Sequence, residues 1–98
     1  MEFVQIVEFE TDRPEDIRTL MQQWHASMQP DGGPDRVTVT RDKENPRRFR
    51  TVAEFASYEK AMAYSARPET DEFARRMREL ATGEPRFVNL DVFERVTA

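Results

Sequence analysis

The chain has no cysteine, a single histidine and only three glycines in 98 residues. Without thiols it carries neither a disulfide framework nor a thiolate metal site, and the lone imidazole, His25, has no second ligand near it in sequence. No metal and no cofactor are therefore expected. No apolar run approaches the roughly 18 residues that a membrane span needs. The opening MEFVQIVEFE also lacks the basic start and long apolar stretch of a secretion signal. A cytoplasmic location without membrane insertion is the expectation. The net charge of -4 argues against nucleic acid as the partner. None of GxGxxG, GxxxxGKS or GxxxxGKT, HExxH and GxSxG occurs, which leaves dinucleotide binding, phosphate loops, zinc proteolysis and hydrolase elbows without support.

What is present is charge and pattern. Charged residues make up 35% and hydrophobic ones 38%, so the apolar groups must be concentrated on few faces. Seven Phe, two Tyr and one Trp argue against disorder. A chain of this length is expected to form one domain over 1–98 with one core.

Residues 2–10, EFVQIVEFE, are rich in β-branched and aromatic side chains and read as a strand. Pro14 then opens a helix over 14–28, with Glu15 and Asp16 in its first turn and Ile17, Leu20, Met21, Trp24 and Met28 on one stripe. QPDGGPD (29–35) breaks it, either as a plain turn or as a lid. Residues 36–41 and 48–55 alternate as the two arms of a hairpin. Ser57 caps a short helix through Ser65, Pro68 opens a longer one through Leu80, and Gly83 stops it. Residues 86–95, RFVNLDVFER, close the order as a last strand. This predicts an α+β, ferredoxin-like βαββαβ fold with a split second helix and a four-stranded antiparallel sheet, helices on one face.

In the first strand Val4 and Ile6 oppose Phe3, Val7 and Phe9, and in the last Val88, Leu90 and Val92 oppose Phe87 and Phe93. Both sides avoid water, whereas a sheet covered once should be polar on its wet side. A second copy laid on the uncovered face is expected, giving a homodimer.

Gln5, Asn89 and Asp91 share parity with the Phe residues, so they are expected in the space between the two sheets. A mostly apolar cavity with a few converging polar groups suits a small molecule, and an Asp91 buried there would be a candidate base. The plainer reading is a dimer seam whose polar groups bond one another. His25 flanks the helical stripe as a base, a ligand or an ordinary surface histidine. Arg36, Arg41, Lys43, Arg47, Arg48 and Arg50 crowd the hairpin against Asp42 and Glu44, as an anion site or as charges guarding a sheet edge. Tyr58, Met62, Phe73 and Met77 at helical spacing are core or a cofactor wall.

SYEKAM (57–62), RPETDEFARRMREL (67–80) and PRFVNLDVFE (85–94), in this order of elements, resemble the dimeric α+β barrel superfamily. That group holds antibiotic-biosynthesis-monooxygenase-like proteins, heme-degrading monooxygenases and stress-responsive barrel proteins. Within it the segments are similar to a set of small actinobacterial proteins. The resemblance covers the whole chain and implies a barrel built by two subunits. For the heme-degrading members it implies a His on the second helical segment and an Asn near the end of the first strand. Here residues 57–82 contain no His, and the first strand carries Gln5, Val7 and Glu8 but no Asn. For the cofactor-independent, quinone-forming members it implies a pocket of Asn, Trp and Tyr between sheet and helices, residue types that Trp24, Tyr58 and Tyr64 supply.

Three functional readings follow. The first is a homodimeric barrel binding a small apolar or aromatic molecule between sheet and helices, through Gln5, Asn89, Asp91, Trp24 and Tyr58. The alternative is a cofactor-independent monooxygenase with Trp24, Tyr58 and Asp91 as pocket and base. The third is a purely structural or regulatory dimer.

Overall fold

A computed structural model describes residues 2–28 and 33–97, the side chains of residues 27 and 28 excepted. Most of the QPDGGPD turn and the expected apolar contribution of Met28 lie outside the described residues. The elements run β1 (Phe3–Glu10), α1 (Pro14–Met28), β2 (Arg36–Arg41), β3 (Arg48–Phe55), α2 (Tyr58–Ser65), α3 (Pro68–Leu80) and β4 (Arg86–Asp91). The four strands form one antiparallel sheet in the order β2-β3-β1-β4. The chain thus has the βαββαβ ferredoxin-like arrangement with its second helix divided.

Local chemistry explains the helix ends. Ser57, extended at φ -157°, accepts a hydrogen bond on its Oγ from the Lys60 N–H at 3.1 Å and caps α2. Pro68 opens α3 where its missing N–H is not needed. Buried Thr11 joins two elements: its hydroxyl accepts from the Arg13 N–H at 2.9 Å and donates to the Leu80 carbonyl at 2.7 Å, tying the entry of α1 to the end of α3. The α3 ladder ends before Gly83, because Ala81 is already extended and the Thr82 N–H is drawn to the Glu10 carbonyl at 2.8 Å.

Register decides the faces. Phe3 pairs with Phe55, Gln5 with Ala53, Val7 with Thr51 and Phe9 with Phe49. These residues lie under the helices, since Phe9 and Phe49 cluster with Ile17, Leu20 and Met77, and Phe3 and Phe55 with Ala61. The Phe-bearing parity is therefore the helix-covered one. The opposite face carries Val4, Ile6, Val52, Val88 and Leu90, none of which belongs to the clusters packed under the described helices. The expectation that both sides of β1 and β4 are apolar holds, but the side that the clusters under the helices leave out is the Val/Ile/Leu side and not the Phe side.

The last strand is shorter than expected, ending at Asp91 rather than Arg95. As an edge strand β4 pairs with β1 alone, and β1 runs out where Phe3 faces Asp91. One further bond, from the Val92 N–H to the Glu2 carbonyl at 2.9 Å, extends the pairing, after which Arg95 reaches Glu2 at 2.6 Å. Phe93, expected between two sheets, stands 94% exposed on this tail.

Candidate functional site

β1 and β3 share one spacing: Phe3, Gln5, Val7, Phe9 in one and Phe49, Thr51, Ala53, Phe55 in the other. Each has a Phe at both ends and smaller or thinner side chains between. The end rows fill the space under the helices, with Phe9 and Phe49 stacked at 5.6 Å and Phe3 and Phe55 tilted at 6.3 Å. The two middle rows cannot reach as far, and a cavity of about 240 Å³ opens above them. Its floor is Gln5, Val7, Val37, Thr51, Ala53 and Phe87. Met21 and Trp24 of α1, Tyr64 of α2, and Thr70, Phe73 and Met77 of α3 form the roof. Asp71 and Arg78 stand exposed at its border. The lining is mainly apolar with a few polar groups, the composition that small-molecule sites share.

An aromatic train supports one wall: Trp24 lies 5.7 Å from Phe73 and edge-on to Tyr64 at 6.3 Å, and Tyr64 lies 5.6 Å from Phe55. The Trp24 Nε1–H donates to the Tyr64 hydroxyl. Burial pushes the Tyr64 phenol above its ordinary pKa of 10.0, against the opposing pull of the Trp24 bond, the Thr70 hydroxyl and the Arg67 charge. Tyr64 is thus a neutral proton donor at physiological pH. Thr70 Oγ1, buried nearby, has no partner of hydrogen-bonding geometry among the described residues. On the floor, the Gln5 Nε2–H donates to Asn89 Oδ1 at 3.0 Å across β1 and β4.

Charge is gathered on the open face instead. Glu8 accepts from Arg50 Nε at 2.7 Å and pairs with Arg86 at 3.4 Å. The Arg50 bond holds the Glu8 carboxyl below its usual range. The N–H groups of Glu44 and Asn45, with Arg50 beyond them, do the same for Asp42. Arg36 pairs with Glu54, Arg47 with Asp12 and Arg48 with Glu10, while Arg41 lies over the Phe49 ring at 5.0 Å. Four of the six basic residues on the hairpin are matched by carboxylates, three of them from β1 and the turn after it and one from β3 itself, which favours the guarding reading over an anion site.

Neither a protein-family model nor a curated protein matches the sequence. Solved structures do match in fold. SnoaB, a cofactor-independent oxygenase from Streptomyces nogalater, aligns at a TM-score of 0.77 and 19% identity over 98% of this chain and 95% of its own. A proposed antibiotic biosynthesis monooxygenase from Caulobacter crescentus aligns at 0.81 and 14% over 95% and 91%. Rv0793 from Mycobacterium tuberculosis aligns at 0.81 and 12% over 99% and 100%. The fold is that of the antibiotic-biosynthesis-monooxygenase-like proteins. At these identities the likeness is one of fold.

Within this monooxygenase-like fold the expected site residues divide. Gln5 and Trp24 line the cavity, and Asn89 is held to Gln5 beside it. Gln5 and Asn89 lie on the helix side of the sheet, not between two sheets as expected, because the helices cover the Phe-bearing parity, and Trp24 faces that side from α1. Asp91 is exposed at the end of β4 and does not line the cavity, so the burial on which its role as a base rested is absent. Tyr58 also lies outside it, 49% exposed and edge-on to Phe3 at 5.3 Å. Tyr64, two turns along α2, occupies the position that Tyr58 was expected to hold. His25 is exposed in the last turn of α1, away from the lining. No three His, Cys, Asp or Glu side chains gather among the described residues in a way that could hold a metal, and no described helix is long and apolar enough to cross a membrane.

Proposed function

We propose that the chain is a cytoplasmic, single-domain homodimer, paired through the open face of its sheet, whose subunits each bind a small, flat, largely apolar or aromatic molecule. The observation that carries the binding reading is the cavity itself, framed by the Phe rows and walled by Trp24, Tyr64 and Phe73. Gln5, held by Asn89, supplies a polar point on the floor, and Tyr64 supplies one on the roof. Nothing in this reading calls on a metal, a cofactor or nucleic acid.

Thermal unfolding with a panel of two- and three-ring aromatics tests it. A ligand at 100 times its Kd should add about 2.7 kcal/mol. For a chain of this size that raises Tm by roughly 10–20 °C. A panel that leaves Tm unmoved at its solubility limit would remove the binding reading and favour a purely structural or regulatory dimer.

A second reading, catalysis as a cofactor-independent monooxygenase, draws its support from the fold it shares with SnoaB. A substrate that readily forms a carbanion can meet oxygen directly, leaving the protein to exclude water and stabilise the developing oxyanion. Tyr64 is a neutral donor suited to that second task. The carboxylate that borders the cavity is Asp71 of α3, not Asp91. Oxygen uptake with an anthrone, measured against its spontaneous oxidation, decides the matter. No acceleration by the protein, or full acceleration by Tyr64→Phe and Asp71→Asn, would retire these roles.

A further inference from the structure

Two rings of the cavity wall also face outward. Trp24 and Phe73, both half-buried and 5.7 Å apart, line the cavity on one side and, on the other, a groove on the outer surface between α1 and α3 that is rimmed by Gln23, Glu69 and Arg76. Among the described residues, cavity and groove share no other lining residue. One turn further along the same seam Leu20 and Met77 are buried in the core, and Arg76 Nη2 donates to Gln23 Oε1 at 3.1 Å across it. The seam is thus filled by core packing at one end and by two half-buried rings at the other. Helical geometry sets these rings opposite the mouth. At about 100° per residue, Asp71 and Arg78 fall on one side of α3 and Glu69 and Arg76 on the other, with Phe73 and Met77 facing inward between them. A molecule that enters past Asp71 and Arg78 therefore passes beneath α3 and meets Trp24 and Phe73 at its leading end.

From this we infer that Trp24 and Phe73 are specificity-determining residues: they form a partition that limits the length of the molecule the cavity takes, and without them cavity and groove would be one channel from the mouth to the α1–α3 surface. The inference rests on the binding reading above and adds a size limit to it. A rigid molecule one ring too long has to displace packed rings from their rotamers, which is costly in the way that overfilling a core is. The two residues are not equivalent. Trp24 gives its N–H to Tyr64, so truncating it would also disturb a polar contact. Phe73 carries no polar group, and its truncation opens the partition alone.

Two rods of one width isolate this property: biphenyl-4-sulfonate and p-terphenyl-4-sulfonate differ by a single ring, and the sulfonate of each stays in water at the mouth and points the rod inward. Apolar area alone would make the longer rod bind more tightly. Calorimetric titration of the whole chain should find the reverse, with biphenyl-4-sulfonate bound roughly tenfold or more tightly than the terphenyl. Phe73→Ala should invert that order by letting the third ring into the groove, and Phe73→Tyr, which keeps the ring, should keep the rejection. Circular dichroism establishes that each variant is folded; should Phe73→Ala not fold, Phe73→Leu takes its place, and the wild-type ratio decides independently of both. Terphenyl bound by wild type as tightly as biphenyl, or a ratio untouched in a folded Phe73→Ala or Phe73→Leu protein, would overturn the inference while leaving the binding reading in place. Failure of both rods to bind wild type would overturn the inference together with that reading.

Discussion

Replacing Ile6 with lysine tests the assignment of the two faces. Ile6 lies at the middle of the open side, in the row Thr38, Val52, Ile6, Val88, next to the row that pairs Val4 with Leu90. In a two-fold dimer the substitution enters the interface twice. Burying an ammonium there without a counter-charge costs about 3 kcal/mol per copy. The pair of substitutions then costs about 6 kcal/mol, a weakening of the dimer by roughly four orders of magnitude. If the long lysine stem lets its charge reach the rim, the loss is smaller, on the order of a hundredfold. The isolated subunit should scarcely notice, because in it the face already meets water. Sedimentation velocity across micromolar concentrations reads the outcome: wild type near twice 11.6 kDa and Ile6→Lys at 11.6 kDa. Wild type found only at 11.6 kDa would refute the dimer. An Ile6→Lys protein that pairs as tightly as wild type would refute this face as its seam.

Ile17, 1% exposed between Phe9, Leu20, Phe49 and Met77, belongs to the core proper. Ile17→Ala should cost about 3 kcal/mol, seen in calorimetry as a fall in Tm of roughly 10–20 °C; a shift of a degree or two would contradict the packing. Ser57→Ala should cost about 1 kcal/mol through the lost cap, with Ser57→Asp retaining stability, both read from denaturant midpoints. Because Arg50 depresses the folded pKa of Glu8 below its ordinary 4.5, the Glu8 contribution is present above that pH and fades as pH falls through the lower folded value. The stability gap between wild type and Glu8→Gln should therefore hold from neutrality to that point and close below it, and a gap that widens in acid would reverse the assignment. Burial raises the Tyr64 pKa above 10.0, so its contribution is complete below that pH and lost as pH climbs through the folded value. Tyrosinate absorbance of wild type minus Tyr64→Phe should show its step above 10.0; a step at or below it would mean that the phenol is solvated.

Element order, the β2–β3 hairpin and the helix starts are legible because each has a local cause, whereas the pairing of β1 with β3 and β4 joins segments far apart in sequence. Pro14, Ser57 and Pro68 stand where helices must begin, alternation marks β2 and β3, and β-branched and aromatic residues mark β1 and β4. The face assignment needed more, since parity says which residues go together and not which set the helices choose. The helices take the side that carries the rings, α1 and α3 packing Ile17, Leu20 and Met77 against Phe9 and Phe49, and α2 packing Ala61 against Phe3 and Phe55. The cavity too had a signal, the matched spacing of large, small, small, large in β1 and β3, visible only once the two strands are aligned in register. Tyr58 and Tyr64 lie six residues apart on one short helix, and composition alone could not tell which turns inward. Asp91 stands exposed in the single chain because it is the last paired residue of β4, a consequence of register that a single strand does not reveal.

Alternation lets one sheet carry two separate tasks. The odd positions of β1 shape a cavity within the subunit, and its even positions present Val4 and Ile6 to the outside. Around that outer strip the charges are largely self-matched, Glu8 with Arg50 and Arg86 at one end, Glu54 with Arg36 and Arg95 at the other. If this face is the seam of the proposed dimer, an apolar centre with a rim satisfied from its own chain gains little from long-range attraction, and pairing should depend on burial and respond weakly to salt. The cavity gains its shape from Phe rows that do not touch that strip. In the proposed dimer, association would rest on the even positions of β1 and ligand binding on its odd ones, so that the two share the backbone of β1 and β3 but not its side chains.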